Sequence, residues 1–242
     1  MNLVVDVGNT LVKLAVFKED SLLSLVVIEE KILNKELSKI FKNFSQITHS
    51  IVSSVGKLKE KDLLFIKERT KMHVLSSVSK IAFKNKYATP KTLGVDRIAL
   101  AMAAVKLFPE KNLLIIDAGS CVTYDFMNKE GEYLGGAISP GIQMRYKALH
   151  NYTAKLPLLE KQSVKNMIGD STKTSMHSGV INGILAELDG IIDQYRSNFK
   201  DLTVILTGGD DHFLSERLKN TIFADSKFLL KGLNFLLEYN KH

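Results

Sequence analysis

An aspartate that closes a run of buried β-branched residues, with a glycine two positions on, can hold a polyphosphate. Asp6, Val7, Gly8, Asn9, Thr10, Leu11, Val12 and Lys13 supply that pattern. Gly8 lets the backbone approach an anion closely, and amides around a tight turn donate to phosphate oxygens. Asn9 and Thr10 add side-chain donors, and Lys13 adds positive charge one strand later. Asp6 can hold Mg2+ directly or through water, since that ion needs few carboxylates. Taken alone, the stretch reads as a plain hairpin with a buried capping aspartate. A second copy changes the reading: Asp117-Ala118-Gly119-Ser120-Cys121 follows another apolar strand 111 residues later. Two such turns, one per half, are expected to grip a triphosphate across an interdomain cleft. A third glycine turn, Thr207-Gly208-Gly209, ends another apolar strand and leaves room for the nucleoside.

The acceptor has its own candidate. Gly94-Val95-Asp96-Arg97 opens a helix after a proline-containing loop. A helix amino terminus binds anions through its free N–H groups and its dipole. Arg97 presents a planar fork for a carboxylate or phosphate, and Asp96 can accept a proton from an attacking hydroxyl. Alone, the same four residues are an N-terminal aspartate followed by a surface arginine. The chain has no G-x-x-x-x-G-K-[ST], G-x-G-x-x-G, G-x-S-x-G or H-E-x-x-H sequence, which sets aside the P-loop, dinucleotide-binding, hydrolase-elbow and zinc-protease classes. His49, His73, His150, His177 and His212 have no second ligand at metal spacing and read as core or surface histidines. Cys121 reads as a small packed side chain.

The elements that must carry these residues follow from apolar periodicity. Segments 3–7, 11–17 and 22–28 are separated by short turn signals and predict an antiparallel meander. Helices are predicted over 34–44, 57–69, 94–107, 142–150, 171–195 and 232–239, and strands over 47–52, 74–75, 113–117, 121–126 and 202–206. Residues 84–93 read as a loop, and Gly135-Gly136 with Pro140-Gly141 as loop punctuation. The helix over 171–195 carries two apolar stripes, one through Met176, Val180, Ile184 and Leu188 and one through Ile181, Leu185 and Ile192. That pattern asks for burial on two sides and is compatible with a partner subunit. The repeated strand–turn–strand unit places a boundary near 108–111. It predicts an N-terminal domain over 1–108 and a C-terminal domain over 109–242.

The totals bound the rest. At 242 residues, with 45% apolar and 24% charged, the composition is that of a globular protein. No stretch approaches the roughly 18 uninterrupted apolar residues of a membrane helix. Asp6 interrupts the first apolar run, which has no basic leader, and the single cysteine makes no internal bridge. The expectation is a cytoplasmic protein with no membrane partner. The net charge of +7 suits anionic ligands. The lysines are scattered and lack interleaved aromatics, so nucleic acid is not the expected partner.

The chain resembles one family along nearly its whole length. The segments Asp6 to Lys13, Pro90 to Arg97, Asp117 to Ser120, Gly135 to Gly141, Thr153 to Pro157, Ser171-Thr172 with Ser178-Gly179, and Thr207 to Gly209 recur in this order in type III pantothenate kinases. The resemblance implies an α/β, actin-like (ribonuclease-H-like) fold of two similar domains. It implies ATP-dependent phosphorylation of pantothenate, the first step of coenzyme A biosynthesis, by a homodimer using Mg2+ with ATP and a monovalent cation, K+ or NH4+. It assigns Asp6 to Lys13 and Ser120 to ATP, and Asp96 to proton acceptance. Tyr87, Gly94, Val95, Asp96, Arg97 and Thr172 go to pantothenate, Thr172 across the dimer interface, and Asp117 to the cation. Ser120-Cys121 departs from the family's usual Thr-Ala; serine keeps the hydroxyl. Two other readings stay open on the residues alone: another actin-like small-molecule kinase, for a sugar or acetate, or a non-catalytic transcription accessory factor of the same family.

Overall fold

The computed structural model describes residues 1–8, 11–54 and 60–241. They divide into two compact units, Met1–Pro109 with Gly131–Tyr133 and Lys227–His242, and Glu110–Glu130 with Leu134–Ser226.

The first unit begins with the predicted meander: β1 (Asn2–Val7), β2 (Val12–Lys18) and β3 (Ser21–Ile28). Helix α1 (Leu33–Asn43), β4 (His49–Ser54), α2 (Glu60–Lys67) and β5 (Lys71–Val74) follow, and β4 and β5 add in parallel to give the order β3-β2-β1-β4-β5. Alternation along β1 sorts its side chains. Leu3, Val5 and Val7 join a core with Leu33, Leu37 and Ile40 of α1 and Ile66 of α2. Asn2, Val4 and Asp6 therefore face the opposite side. The segment expected as loop holds a two-residue strand, β6 (Lys84–Asn85), and a single 3-10 turn at Pro90–Thr92. Helix α3 (Val95–Leu107) follows.

The second unit repeats the opening hairpin as β7 (Leu113–Ala118) and β8 (Cys121–Met127), then continues with β9 (Glu132–Pro140), α4 (Ile142–Asn151), α5 (Thr172–Asn198), β10 (Thr203–Thr207), α6 (Asp211–Ser215) and β11 (Phe223–Ala224). Its strands run in the order β11-β10-β7-β8-β9. Leu114, Ile116, Val122, Tyr124, Val204 and Leu206 pack from one face of the sheet onto α4 and α5. Both apolar stripes of α5 are used in this core: Val180, Ile184 and Leu188 from one, and Ile181 and Ile192 from the other, are buried within the unit. The double stripe thus needs no partner subunit to explain it. Gly135 and Gly136 are not loop punctuation but lie inside β9. Gly135 sits at φ 108°, which disfavours a side chain, and a Cβ on Gly136 would fall on the Tyr124 carbonyl of β8, so Gly136 serves close strand approach.

Helix α7 (Phe228–Tyr239) belongs with the first unit, whereas the sequence reading grouped it with the second half. Gly232 explains the docking. A Cβ there would meet the Ala99 carbonyl and Ala103, so the glycine lets α7 lie directly on the small-residue face of α3. Asn234, fully buried, locks the arrangement: its Nδ2 donates to the Glu19 carbonyl at 2.8 Å, and its Oδ1 accepts from Asn2 Nδ2 at 2.7 Å. Asn234→Leu is expected to lower unfolding free energy by about 2 kcal/mol, the scale of a broken buried hydrogen-bond pair. A urea midpoint equal to the parent's would remove this role. Among the described residues no helix is long and apolar enough to cross a membrane.

Candidate active site

The first unit gathers four polar side chains on one face of its sheet and at the helix beside it. Register places Asp6 opposite Lys13 on β2 and beside Ser53 on β4. Because paired residues project to the same side, a row Lys13–Asp6–Ser53 crosses three strands. Lys13 Nζ stands 3.8 Å from Asp6 Oδ2. Asp6 is 7% exposed, and burial pushes its carboxyl up to about 6 against the opposing pull of Lys13, with the negative charge of Asp96 adding to the rise. Asp6, Lys13 and Asp96 therefore share one electrostatic neighbourhood.

Asp96 lies in the first turn of α3, where a carboxylate complements the helix dipole. Its Oδ1 accepts from the Arg97 backbone N–H at 2.8 Å. A Cβ on Gly94 would fall on that same oxygen, which gives the glycine its purpose: it lets the carboxylate fold back over the helix end. Arg97 is 5% exposed, with its guanidinium carbon 5.6 Å from the Tyr87 ring centroid and 5.9 Å from that of Tyr133. Tyr87 and Arg97 are thus brought together. Of the other residues in the Asp6–Lys13 stretch, Val7 and Val12 pair with each other and point into the core, so they offer a ligand only their main chain. The Gly8 amide is engaged with the Leu11 carbonyl at 3.1 Å. Asn9 and Thr10 lie outside the described residues.

In the second unit, Asp117 is the penultimate residue of β7, half-buried, opposite Thr123 of β8 and beside Thr207 of β10. Gly208, at φ 103°, leaves a cradle that a Cβ would fill against the Ala118 carbonyl and Asp117 Oδ1. Oxygen donors of this kind fit a hard cation. The two hairpins differ by one residue in the turn: Asp6 pairs seven positions on with Lys13, Asp117 six positions on with Thr123. One copy thus carries a cation beside its aspartate and the other a hydroxyl. Ser120 is exposed on the second turn, where the Gly141 amide donates to its carbonyl at 3.2 Å. Thr172 is the first residue of α5, behind the Ser171–Thr174 capping box, and opens on a groove of about 960 Å3 lined by Arg145, Leu149, Tyr152, Met176 and Val180.

Two residues at the site carried no recognised sequence signal. Ser53 is 1% exposed and its hydroxyl has no hydrogen-bond partner among the described residues, directly beside Asp6. Its place at the carboxyl end of a strand next to β1 was the available clue. Tyr133 reaches Arg97 through the β6–β9 pairing, which nothing local announces. Among the described residues no group of three or more His, Cys, Asp or Glu stands together as a metal site. The Asp6 carboxylate and Ser53 hydroxyl are nonetheless oxygen donors of the type that Mg2+ accepts.

The sequence model of type III pantothenate kinases matches residues 2–194. The chain belongs to the type III pantothenate kinase family. A type III pantothenate kinase of Flavobacterium johnsoniae is 50% identical over 239 residues, covering 99% of this chain and 98% of its own. That of Christiangramia forsetii is 52% identical over 241 residues, covering 100% and 99%. Among solved structures, a Campylobacter jejuni protein described as a Baf family transcriptional activator superposes with a TM-score of 0.63 at 22% identity, covering 98% of both chains. A glucokinase from an Antarctic psychrotroph superposes at 0.52 with 11% identity, also covering 98% of both. At these identities the structures speak for the fold alone, which is the actin-like kinase fold.

Proposed function

We propose that this protein phosphorylates pantothenate with ATP, giving 4'-phosphopantothenate at the entry to coenzyme A biosynthesis in the cytoplasm. The observation that carries the reading is the pairing of Asp96 with the Asp6–Lys13 row in one electrostatic neighbourhood, within a chain of this family. Phosphoryl transfer asks a protein mainly for positioning and charge neutralisation. Asp96, oriented by the Arg97 amide on Oδ1, takes the proton of the acceptor's primary hydroxyl. Arg97 and Tyr87 hold the acceptor's anionic end, beside the first-turn amides of Gly94, Val95 and Asp96. Lys13 offsets charge that develops on the transferred group. Asp6, with Ser53, holds Mg2+, which when bound neutralises the polyphosphate. Ser120 contacts ATP from the second turn. Turnover measured by coupled assay with ATP and pantothenate tests the reading. No turnover with pantothenate, set against turnover with glucose, acetate or N-acetylglucosamine, sinks it.

Asp117 is the proposed ligand of a monovalent cation, K+ or NH4+, supported by the half-buried place of its carboxylate near the Ala118 carbonyl at the Gly208 turn. Asp117→Ala is expected to abolish the difference in rate between potassium and sodium. An Asp117→Ala enzyme that keeps the parent's potassium preference removes the assignment.

The proposed assembly is a homodimer through the apolar groove beside Thr172, with a second copy as occupant. Tyr152, 89% exposed at its edge, is an aromatic ring that water covers poorly. Tyr152→Asp is expected to convert a dimer to a monomer in sedimentation velocity and to raise the pantothenate KM, since Thr172 then serves no neighbouring site. A dimer of unchanged stability would refute this face.

A further inference from the structure

We propose that Tyr133 is a positioning residue for the acceptor: its buried ring, closing one side of the Arg97 guanidinium, sets the orientation in which Arg97 receives the anionic end of pantothenate. The inference rests on the reading of Arg97 as an acceptor contact and deepens it. Three rings build the setting. Tyr133 is fully buried, Tyr87 lies 6.1 Å from it at 54°, and Phe83 lies 5.9 Å from it at 55°. Arg97 extends past two of them, with its guanidinium carbon 5.6 Å from Tyr87 and 5.9 Å from Tyr133.

The difference between the two tyrosines is the point. Tyr87 is half-exposed on a loop and is itself an acceptor contact in the proposed reading. Tyr133 has no exposed surface with which to touch a substrate, so its effect must pass through Arg97. A desolvated guanidinium over an aromatic face gains more than one at the surface, and the ring also removes rotamer freedom that ligand binding would otherwise have to restrict. Tyr133 also steadies the loop that carries Tyr87. Its backbone pairs with Asn85, its carbonyl accepts from Lys86 N at 2.9 Å, and Asn85 Oδ1 accepts from Tyr87 N at 3.0 Å. One short inserted segment therefore sets both side chains of the acceptor clamp.

The test is a steady-state series on the full-length enzyme with either substrate varied: Tyr133→Phe, Tyr133→Leu, Arg97→Lys, and Tyr133→Leu combined with Arg97→Lys. Tyr133→Leu is expected to raise the pantothenate KM about tenfold, with the ATP KM within about twofold of the parent, and Tyr133→Phe, which keeps the ring, to raise it less than Tyr133→Leu does. In the Arg97→Lys background, removal of the ring is expected to add little, because the two changes act through one guanidinium. If Tyr133→Leu folds poorly, a ring-fluorinated phenylalanine at 133 keeps the volume while weakening the ring face, and the pantothenate KM should rise with fluorination. An unchanged pantothenate KM in both the leucine and the fluorinated proteins overturns the proposal. So do equal rises in both KM values, which mark a structural role, and full additivity with Arg97→Lys. A parent-like pantothenate KM in Arg97→Lys alone overturns instead the underlying role of Arg97.

Discussion

Asp96→Asn is expected to lower kcat by about 10²-fold or more while leaving nucleotide binding and assembly intact. The substitution is nearly isosteric, and an asparagine oxygen still accepts from the Arg97 amide that now meets Oδ1 at 2.8 Å. The α3 amino terminus therefore keeps that hydrogen bond and loses only the interaction of one charge with the helix dipole, roughly 0.3–1 kcal/mol. What disappears is basicity at the carboxylate proposed to take the hydroxyl proton. The effect should fall on kcat and not on the pantothenate KM, because Arg97 and Tyr87 remain in place. Rapid-quench turnover with saturating substrates measures it. A kcat within a few-fold of the parent would take Asp96 out of the proton-transfer role.

Asp6→Asn is expected to have two opposite effects. Activity should fall by roughly 10²-fold or more, since the carboxylate at the end of β1 is the proposed Mg2+ ligand. Stability of the ligand-free protein should rise at neutral pH. The sign follows from burial, which lifts the Asp6 carboxyl from 3.8 to about 6. A carboxyl that holds its proton more tightly when folded favours folding while it is protonated. That contribution is fully present below about pH 4 and is lost as pH climbs through 6. Above that range the ionised group costs the folded state on the order of 2–3 kcal/mol, which asparagine does not incur. Lys13 loses its partner at little expense, because its side chain is 30% exposed. Thermal melts of parent and variant from pH 4 to pH 8 should therefore diverge with rising pH. Superimposable melts across that range would mean that Asp6 is solvated in the folded chain.

Much of this architecture was legible from residue patterns, for identifiable reasons. The two hairpins announce themselves because a strand buried on both faces must be apolar throughout and a glycine must follow where the chain turns tightly. The alanine-rich helix ending before Pro109 is similarly explicit, as is the family resemblance carried by the ordered motifs. Three features were hidden because their causes are distant in sequence. Gly135 and Gly136 read as loop punctuation, yet they sit in β9, where the Tyr124 carbonyl of the adjacent strand leaves no room for a Cβ on Gly136. The two apolar stripes of α5 look like an unmet need for a partner until α4 and the sheet are seen to use both. Ser53 gives no local hint, since only parallel pairing of β4 with β1 puts its hydroxyl beside Asp6. The proposed roles of Tyr87, Ser120, Thr172 and Asp117 came from the ordered motifs, because exposed and half-exposed polar residues have no periodicity to betray them.

The first unit is assembled from the beginning, the middle and the final stretch of the chain, and residues 134–226 of the second lie uninterrupted between those pieces. Synthesis runs from the amino terminus, so a ribosome releases everything the second unit needs before it releases α7. The helix that covers the Asn2–Val4–Asp6 side of β1 is thus the last to arrive. A nascent chain stalled near residue 226 should expose that sheet face to chaperones and proteases, even with its nested neighbour already folded. For this topology, the first unit is completed only after the second.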